Sequence, residues 1–230
     1  MFLLGIDTSV KRGIVCLGEK EDIMIQKILS PHSSSQRLLP SLDILLKERG
    51  KKIRDLEGIV VILGPGSFTG LRIGLSLAKS LAFTLKIPLV GIPSFDVWVA
   101  SFPGQGIICP LLQAYGGKFY TAFYKKDERK VYRKSKYLFS AWKEIEERIR
   151  KRFLGQKITF LIPEEYKNLV NKIKLTDNYS FFFLEETAHL KTLLKIGAKN
   201  VESGEIDDTF ALAPLYISSP VIKSRSSHEK

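Results

Sequence analysis

Residues 64–74 read Gly-Pro-Gly-Ser-Phe-Thr-Gly-Leu-Arg-Ile-Gly, and they decide the fold because a strand, a tight turn and a helix start meet there. The five residues before them, 59–63, are all β-branched or apolar, which is typical of a strand buried on both faces. The glycines and Pro65 predict a turn with unusual dihedral angles, and Ser67 or Thr69 suits the cap of the following helix. Backbone amides at such a helix start can hold an anion, so one interpretation of this glycine block is a phosphate site.

Helix packing is the second interpretation of the glycine block, and we favour it. A Walker phosphate loop needs Gly-Lys-Ser/Thr where residues 69–71 read Thr-Gly-Leu. Small residues recur at every fourth position of the helix and form a ridge that lets another helix approach closely. The ridge consists of Gly70, Gly74, Ala78 and Ala82. We therefore expect close helix packing there, either inside the domain or with a partner.

Apolar periodicity on both sides of the glycine block predicts alternating strands and helices. We expect strands at 2–6, 13–17, 22–29, 59–63 and 89–92, with helices at 35–49, from the block to about 85, and from 95. This order is that of a ribonuclease-H-like lobe, the unit shared by actin and sugar kinases. The pattern then starts again, with strands at 107–114, 118–125, 130–137 and 158–162 and helices at 141–153, 164–173 and 187–196. The sequence thus predicts an α/β, two-lobed actin-like (ASKHA) fold with a degenerate second lobe.

The expected domain boundaries follow from this repetition. Residues 1–102 are expected to form the first lobe, which a closing helix at 207–217 rejoins. Residues 103–206 are expected to form a second, smaller α/β lobe, and 218–230 a flexible tail.

Charge points to nucleic acid as one partner class. The net charge is +12, and residues 125–152 hold 12 basic against 5 acidic side chains, a local excess of +7. The alternative is an ordinary solvated surface, which is the usual meaning of mixed charges on a helix. Tyr132, Tyr137 and Trp142 lie among these charges, but aromatic residues at such spacings are more often core than base-stacking platforms. Direct RNA contact therefore stays open.

Cysteine usage and targeting signals predict a cytoplasmic protein. Cys16 and Cys109 lie far apart within strand segments, so two reduced core thiols are expected rather than a disulfide or a metal site. The first apolar run ends at Asp7, too early for a signal peptide. Arg72 and Lys79 argue against a membrane span in the glycine-rich helix, and no membrane partner is expected.

The search for catalytic groups finds no complete site. In the actin and sugar-kinase group, an acidic residue at the end of the first strand manages magnesium and phosphate, and Asp7 occupies that place. A second carboxylate and an adenosine clamp are not evident, so a structural turn is an equal alternative. The three histidines, His32, His189 and His228, form no metal motif, and Ser67 lacks the nucleophile-elbow pattern. A residual nucleotide or phosphate site would use Asp7, Thr8, Ser9, Gly66 and Ser67.

Four segments together resemble the bacterial TsaB (YeaZ) family. They are residues 2–9, 35–40, 64–74 and 90–94, and the eleven-residue glycine block is the most specific of them. Residues 113–120 are similar to a divergent form of the family's Asp-Ala-Arg-x-Gly-Glu-Val-Tyr segment, with Gln113 in place of the aspartate. Residues 213–216 resemble its closing helix.

This resemblance implies a noncatalytic subunit that works in tRNA threonylcarbamoyladenosine synthesis. TsaB-like proteins pair with the catalytic subunit TsaD and the ATPase TsaE, and they modify the adenosine next to the anticodon in ANN-decoding tRNAs. It implies ATP and metal on the partner subunits and no intrinsic cofactor here, and a homodimer when the chain is alone. The expected partner interface consists of Leu38, Leu39, Leu42, Leu46, Gly70, Arg72, Ile73, Gly74, Leu77 and Ala78.

An autonomous ATP-dependent enzyme of the actin and sugar-kinase superfamily, or a glycoprotease-like hydrolase, is the alternative function. Nucleotide binding by the isolated chain separates the two, because a kinase must bind magnesium ATP alone and a scaffold need not.

Overall fold

The computed structural model describes residues 1–19, 22–30, 34–173 and 176–218. Its first sheet has the order β3-β2-β1-β4-β5, in which the first three strands form an antiparallel meander and β1, β4 and β5 are parallel. The strands are β1 (Phe2–Asp7), β2 (Ile14–Glu19), β3 (Asp22–Ile28), β4 (Gly58–Gly64) and β5 (Leu89–Pro93). Its helices are α1 (Ser34–Glu48), α2 (Phe68–Leu85) and α3 (Ser94–Ser101). The predicted elements of the first lobe are confirmed.

The second half of the chain repeats the strand order of the first. The strands are β6 (Gly106–Gln113), β7 (Phe119–Thr121), β8 (Tyr124–Lys126), β9 (Val131–Arg133), β10 (Leu138–Ser140), β11 (Ile158–Pro163) and β12 (Tyr179–Leu184). The order β10-β7-β6-β11-β12 has the same parallel and antiparallel pairs as the first sheet, and β8 and β9 extend it as a hairpin. The helices are α4 (Trp142–Arg152) and α5 (Leu190–Ser203).

The second lobe is the reduced copy that the sequence predicts. Between β11 and β12, where the first lobe has the long helix α2, the chain forms only a 3-10 helix, Glu164–Lys172. The expected strand at 130–137 is divided into β9, which pairs with β8, and β10, which pairs with β7. Strand β12 was not predicted, although its three consecutive phenylalanines, 181–183, are a strand signal.

Two helices are exchanged between the lobes. Helix α3 comes from the first half of the chain, but Phe95, Trp98 and Val99 pack with residues of β6, β8 and β11. Helix α5 comes from the second half, and Leu193 and Leu194 pack on β1 and β2 of the first sheet. The expected boundaries at 102 and 206 therefore divide the sequence without dividing the packing, and the division into domains stays a prediction.

The predicted closing helix at 207–217 is wrong, because this segment forms no helix. It runs instead along the first lobe, where the Asp207 amide donates to the Leu89 carbonyl (2.9 Å) and the Leu215 amide to the Leu63 carbonyl (2.8 Å). Helix α5, which we expected at 187–196 as part of the second lobe, packs on the first sheet instead. The expected tail, 218–230, lies outside the described residues except for Ser218.

The two cysteines are free and buried, as predicted. Burial raises the pKa of each thiol to about 12, so both stay protonated and act as small apolar side chains. Across the described parts of the chain, every helix is too short or too polar to traverse a lipid bilayer.

Candidate functional site

The turn after β1 and the glycine block lie in direct contact. A Cβ atom on Gly66 would lie 2.4 Å from the Ser9 carbonyl oxygen, and one on Gly70 would lie 2.0 Å from the Thr8 carbonyl oxygen. Only glycine permits this approach of two backbones, which explains both glycines physically. The structure therefore brings together all five residues of the expected phosphate site.

The amides of the glycine block are partly used inside the protein. The Ser67 amide donates to the Ser9 carbonyl at 2.6 Å. The Ser67 side chain caps α2 by accepting from the Gly70 amide at 3.2 Å, as the sequence predicts. These bonds fasten the start of α2 to the turn after β1 and leave fewer donors for an anion.

Asp7 is completely buried and has a partner at each carboxylate oxygen. Oδ1 accepts from the Ser9 amide (2.8 Å) and the Ser9 hydroxyl (2.6 Å), and Oδ2 lies 2.7 Å from His189 Nε2. Because an ionised carboxylate can only accept, Nε2 of His189 carries the proton and donates it. Thus Asp7 ties the end of β1 to the residue that precedes α5.

The surroundings of Asp7 favour its charged form. Burial raises the pKa of Asp7, but the His189 hydrogen bond and charge, together with the two Ser9 hydrogen bonds, lower it below its ordinary value of 3.8. A carboxylate enclosed in this way has its hydrogen-bond partners within the protein itself. These bonds favour the structural interpretation of Asp7.

A cleft of about 550 Å³ nevertheless lies between the lobes at this place. The side nearest the first lobe is formed by Ser9, Lys11 and the glycine block, and the opposite side by Gln113, Tyr115 and Tyr120. The end of the described chain also enters it, since Ser218 Oγ lies 2.9 Å from Tyr120 Oη. The part of the chain that the structure describes contains no group of three or more metal-binding side chains, in this cleft or elsewhere.

Half of the expected partner interface is buried in the chain's own core. Gly74 lies against the sheet, where an added Cβ would come within 2.2 Å of Thr8 Oγ1. Gly70 and Gly74 of the small-residue ridge thus pack inside the domain, on the end of β1 and the turn after it, and Ala78 and Ala82 belong to the core that the ridge shares with α1. The buried members of the expected interface are Leu38, Leu42, Leu46, Gly74 and Ala78.

The other expected interface residues are reachable to different degrees. Leu39 is 51% exposed on α1, whereas Ile73 and Leu77 are half-buried and pack on the first core. Gly70 is half-buried against Thr8. Arg72 is exposed, and it donates to Tyr216 Oη at 2.8 Å.

Residues 207–217 cover part of the outer face of α2. Lys79 Nζ donates to the carbonyls of Phe210 (2.9 Å) and Leu212 (3.0 Å). Phe210 also contacts Phe83 edge to face, with ring centroids 5.3 Å apart, and both rings are largely exposed. The accessible apolar surface at the end of α2 is therefore made by Phe83 and Phe210 together.

A second set of polar contacts joins α3 to the second lobe. Asp96 accepts from Tyr124 Oη at 2.5 Å and from Tyr137 Oη at 3.1 Å. Lys126 Nζ donates to the carbonyls of Val99 (3.0 Å) and Ala100 (2.9 Å), and also to that of Phe102. Burial and the Asp96 charge raise the pKa of Tyr124, which keeps its hydroxyl protonated as a donor.

The sequence did not indicate that His189 would be hydrogen-bonded to Asp7, or that Asp96 would accept hydrogen bonds from Tyr124 and Tyr137. His189 follows an acidic stretch and precedes an amphipathic helix, a position without a metal or catalytic pattern. Its role depends on a contact 182 positions away in the chain, so only the three-dimensional arrangement reveals it.

A protein-family model and individual known proteins both match this chain. The model of the family described as TsaD, tRNA N6-adenosine threonylcarbamoyltransferase, matches residues 28–208. The TsaB protein of Bacillus subtilis (strain 168) is 38% identical over 129 residues, which cover 54% of this chain and 56% of that protein. TsaB of Escherichia coli (strain K12) is 29% identical over 137 residues, covering 57% and 58%. The chain thus spans little more than half the length of these curated relatives.

Solved structures agree on the fold. YeaZ from Pseudomonas aeruginosa superposes with a TM-score of 0.73 at 20% identity, covering 94% of this chain and 99% of that one. A ROK family protein from Streptococcus pneumoniae superposes with a TM-score of 0.52 at 10% identity, covering 88% and 100%.

The fold and the site define a two-lobed, actin-like α/β protein. In it Asp7, the acidic residue at the end of the first strand, is hydrogen-bonded to Ser9 and His189. The chain belongs to the TsaB (YeaZ) family of tRNA threonylcarbamoyladenosine biosynthesis proteins.

Proposed function

We propose that this chain is a noncatalytic subunit of the machinery that forms threonylcarbamoyladenosine in tRNA. It would pair with a TsaD-like transferase and act with a TsaE-like ATPase, on the adenosine next to the anticodon of ANN-decoding tRNAs. ATP and metal would then be bound by those partners. The observation that carries the proposal is the enclosure of Asp7, whose two oxygens are bonded to Ser9 and His189.

Reconstitution tests this function directly. The chain is mixed with the host's TsaD-like transferase, the ATPase, tRNA and threonylcarbamoyl-adenylate, and the modified nucleoside is measured by mass spectrometry. We expect modification with all components and none when this chain is omitted. Full modification without the chain would contradict the proposal.

A transferase that acts alone is the second candidate, and the match to the family described as tRNA N6-adenosine threonylcarbamoyltransferase favours it. Calorimetry tests the other alternative, an autonomous kinase or hydrolase of the same superfamily. Calorimetry of the isolated chain with magnesium ATP is expected to show no binding. Modification by this chain without the transferase, or ATP turnover that Asp7→Ala abolishes, would establish a catalytic protein instead.

The partner surface is proposed on the accessible apolar residues of α1 and α2, which replace the buried ones of our original expectation. Leu39 is 51% exposed and Phe83 is 61% exposed. Leu39→Asp and Phe83→Asp should each weaken binding to the transferase, or to a second copy of the chain, by at least tenfold, because a carboxylate would be desolvated at the interface. Leu154→Asp is the matched control, because Leu154 is 80% exposed on the second lobe. Equal binding by all three variants would contradict this surface.

A further inference from the structure

Five cations of the second lobe project into solvent and play no part in the interlobe site. They lie in and beside the β8–β9 hairpin: Lys125, Arg129, Lys130, Lys134 and Lys136. Arg133 is not one of them, because it is opposite Tyr124 on the α3 side and lies 4.3 Å from the centroid of the Tyr137 ring. Within the described ranges, no carboxylate lies within 4.0 Å of any of these five side chains. Their charge is therefore available to a partner.

The hairpin presents its charge on the same side of the sheet as α4. Lys125 is opposite Ile107 in the register, and Ile107 belongs to the core beneath α4. Directly opposed residues of neighbouring strands share a face, so Lys125 lies on the α4 side. Phe123 contacts Phe153 with ring centroids 5.2 Å apart, which brings the end of α4 to the start of the hairpin. The basic last turn of α4, residues 150–152, is thus next to it.

An exposed aromatic ring lies within these charges. Tyr132 is opposite Lys125 in the register, so it shares the α4 face, and it is 43% exposed. Lys134 Nζ lies 5.3 Å from the centroid of its ring. Strand β9 pairs only with β8 within the described sheet, so Tyr132 lies at an open edge that a partner can reach.

The acidic groups near this face are largely turned to other partners. Asp127 Oδ1 accepts from the amides of Arg129 (2.9 Å) and Lys130 (2.8 Å), which closes the hairpin turn. Glu146 pairs at 3.9 Å with Arg150 of the last turn of α4, so Lys151 and Arg152 are the cations that this turn adds to the face. Glu128 is exposed at the turn itself, and Glu144 and Glu147 lie toward the start of α4.

We propose that this basic face, made of the β8–β9 hairpin and the last turn of α4, binds the phosphate backbone of tRNA, with Tyr132 stacking on an unpaired base. The proposal rests on the proposed function, which makes tRNA the polyanion that the complex handles. Clustered cations supply backbone affinity, and an exposed ring among them supplies a stacking platform.

Affinity of the full chain for labelled tRNA, measured by fluorescence anisotropy at several salt concentrations, tests the proposal. Joint reversal of Lys125, Lys130 and Lys134 to Glu should weaken binding at least tenfold. Each lost phosphate contact lowers the salt dependence by about 0.7 to 0.9 logarithmic units, so three should lower it by about 2 to 3. The matched control reverses Lys86, Lys167 and Lys199, three exposed cations elsewhere, and should change affinity less than threefold.

The control separates local docking from net charge, because both triple variants lose the same charge. Equal losses in the two variants, or no loss in the first, would overturn the proposal. Substitution of the same three lysines by Gln should weaken binding in the same direction but less, which guards against a folding artefact. Tyr132→Ala should weaken binding several-fold and Tyr132→Phe should not. The modification assay above is independent, so a complex that modifies tRNA normally with the triple reversal would reject this face and leave the proposed function intact.

Discussion

Asp7 shows how a residue at a chemically suggestive position can be committed to structure. Its carboxylate occupies the end of the first strand, but it is used to join that strand to α5 through His189. The energetic reason is that a buried charge is tolerated only when it is paired and hydrogen-bonded. The free energy of unfolding and its pH dependence should therefore both depend on the Asp7–His189 pair.

Replacing Asp7 by Asn is expected to lower the free energy of unfolding at pH 7 by about 3 kcal/mol, because His189 loses its charged partner inside the protein. The pKa of Asp7 is lowered by folding, so its contribution is complete above the ordinary value of 3.8 and disappears as the pH falls through the folded-state value. Urea unfolding at pH 7 and pH 3 should show the two proteins converging in acid. Asp43→Asn is the control, since Asp43 forms an exposed pair with Lys47, for which we expect a loss below about 1 kcal/mol. A variant as stable as the wild type at pH 7 would refute the structural role.

Gly74→Ala should destabilise the fold and leave association unchanged. The added methyl group would meet Thr8 Oγ1 at 2.2 Å, and overpacking of this kind costs about 1 to 3 kcal/mol. Thermal melting together with light scattering tests this, and Ser76→Ala, on the exposed side of α2, is the control. A stable variant with lost association would restore the ridge as a partner surface.

The local sequence pattern predicts most helices and strands of this chain, but it does not predict which of these elements pack together. The apolar faces of α1 and α2 and the glycine block were recognisable, because periodicity and turn chemistry are local signals. Which surface covers a face is decided by topology, so Leu42 and Gly74 were assigned to a partner although the chain's own sheet covers them. The same limit explains the misplaced closing helix, since the role of α5 depends on β1 and β2, far away in sequence.

The stability of helix α3 should depend on Lys126, a residue of β8 whose ammonium group reaches the carbonyls at the end of this helix. Lys126→Met removes three donors from the carbonyls of Val99, Ala100 and Phe102 while it keeps most of the side-chain volume. We expect a loss of about 1 to 3 kcal/mol in the free energy of unfolding, because these carbonyls would remain underbonded. Lys125→Met is the matched control, because the neighbouring Lys125 is exposed. Equal stabilities of the two variants would show that Lys126 contributes no more than a surface charge.

For the whole molecule, the exchange of α3 and α5 predicts one cooperative unfolding transition. If one lobe unfolded, the sheet of the other lobe would lose the helix that covers one of its faces, so the lobes should not melt separately. Trp98 and Trp142, the chain's two tryptophans, both pack against the second sheet, so their fluorescence follows the second lobe. Far-ultraviolet circular dichroism follows the helices and strands of both lobes, and its midpoint in urea should coincide with the fluorescence midpoint. Two separated midpoints would mean that the lobes are energetically independent.

The exchange also limits how this gene could be divided. A cut in the link at 103–105 would separate α3 from the second sheet, on which Phe95, Trp98 and Val99 pack, and would separate α5 from the first sheet. Each fragment would expose a broad apolar surface and aggregate when produced alone. Produced together, the two fragments would complement each other, since each carries the missing layer of the other. A recombination or fusion event would therefore have to keep both halves of the chain together for either half to fold.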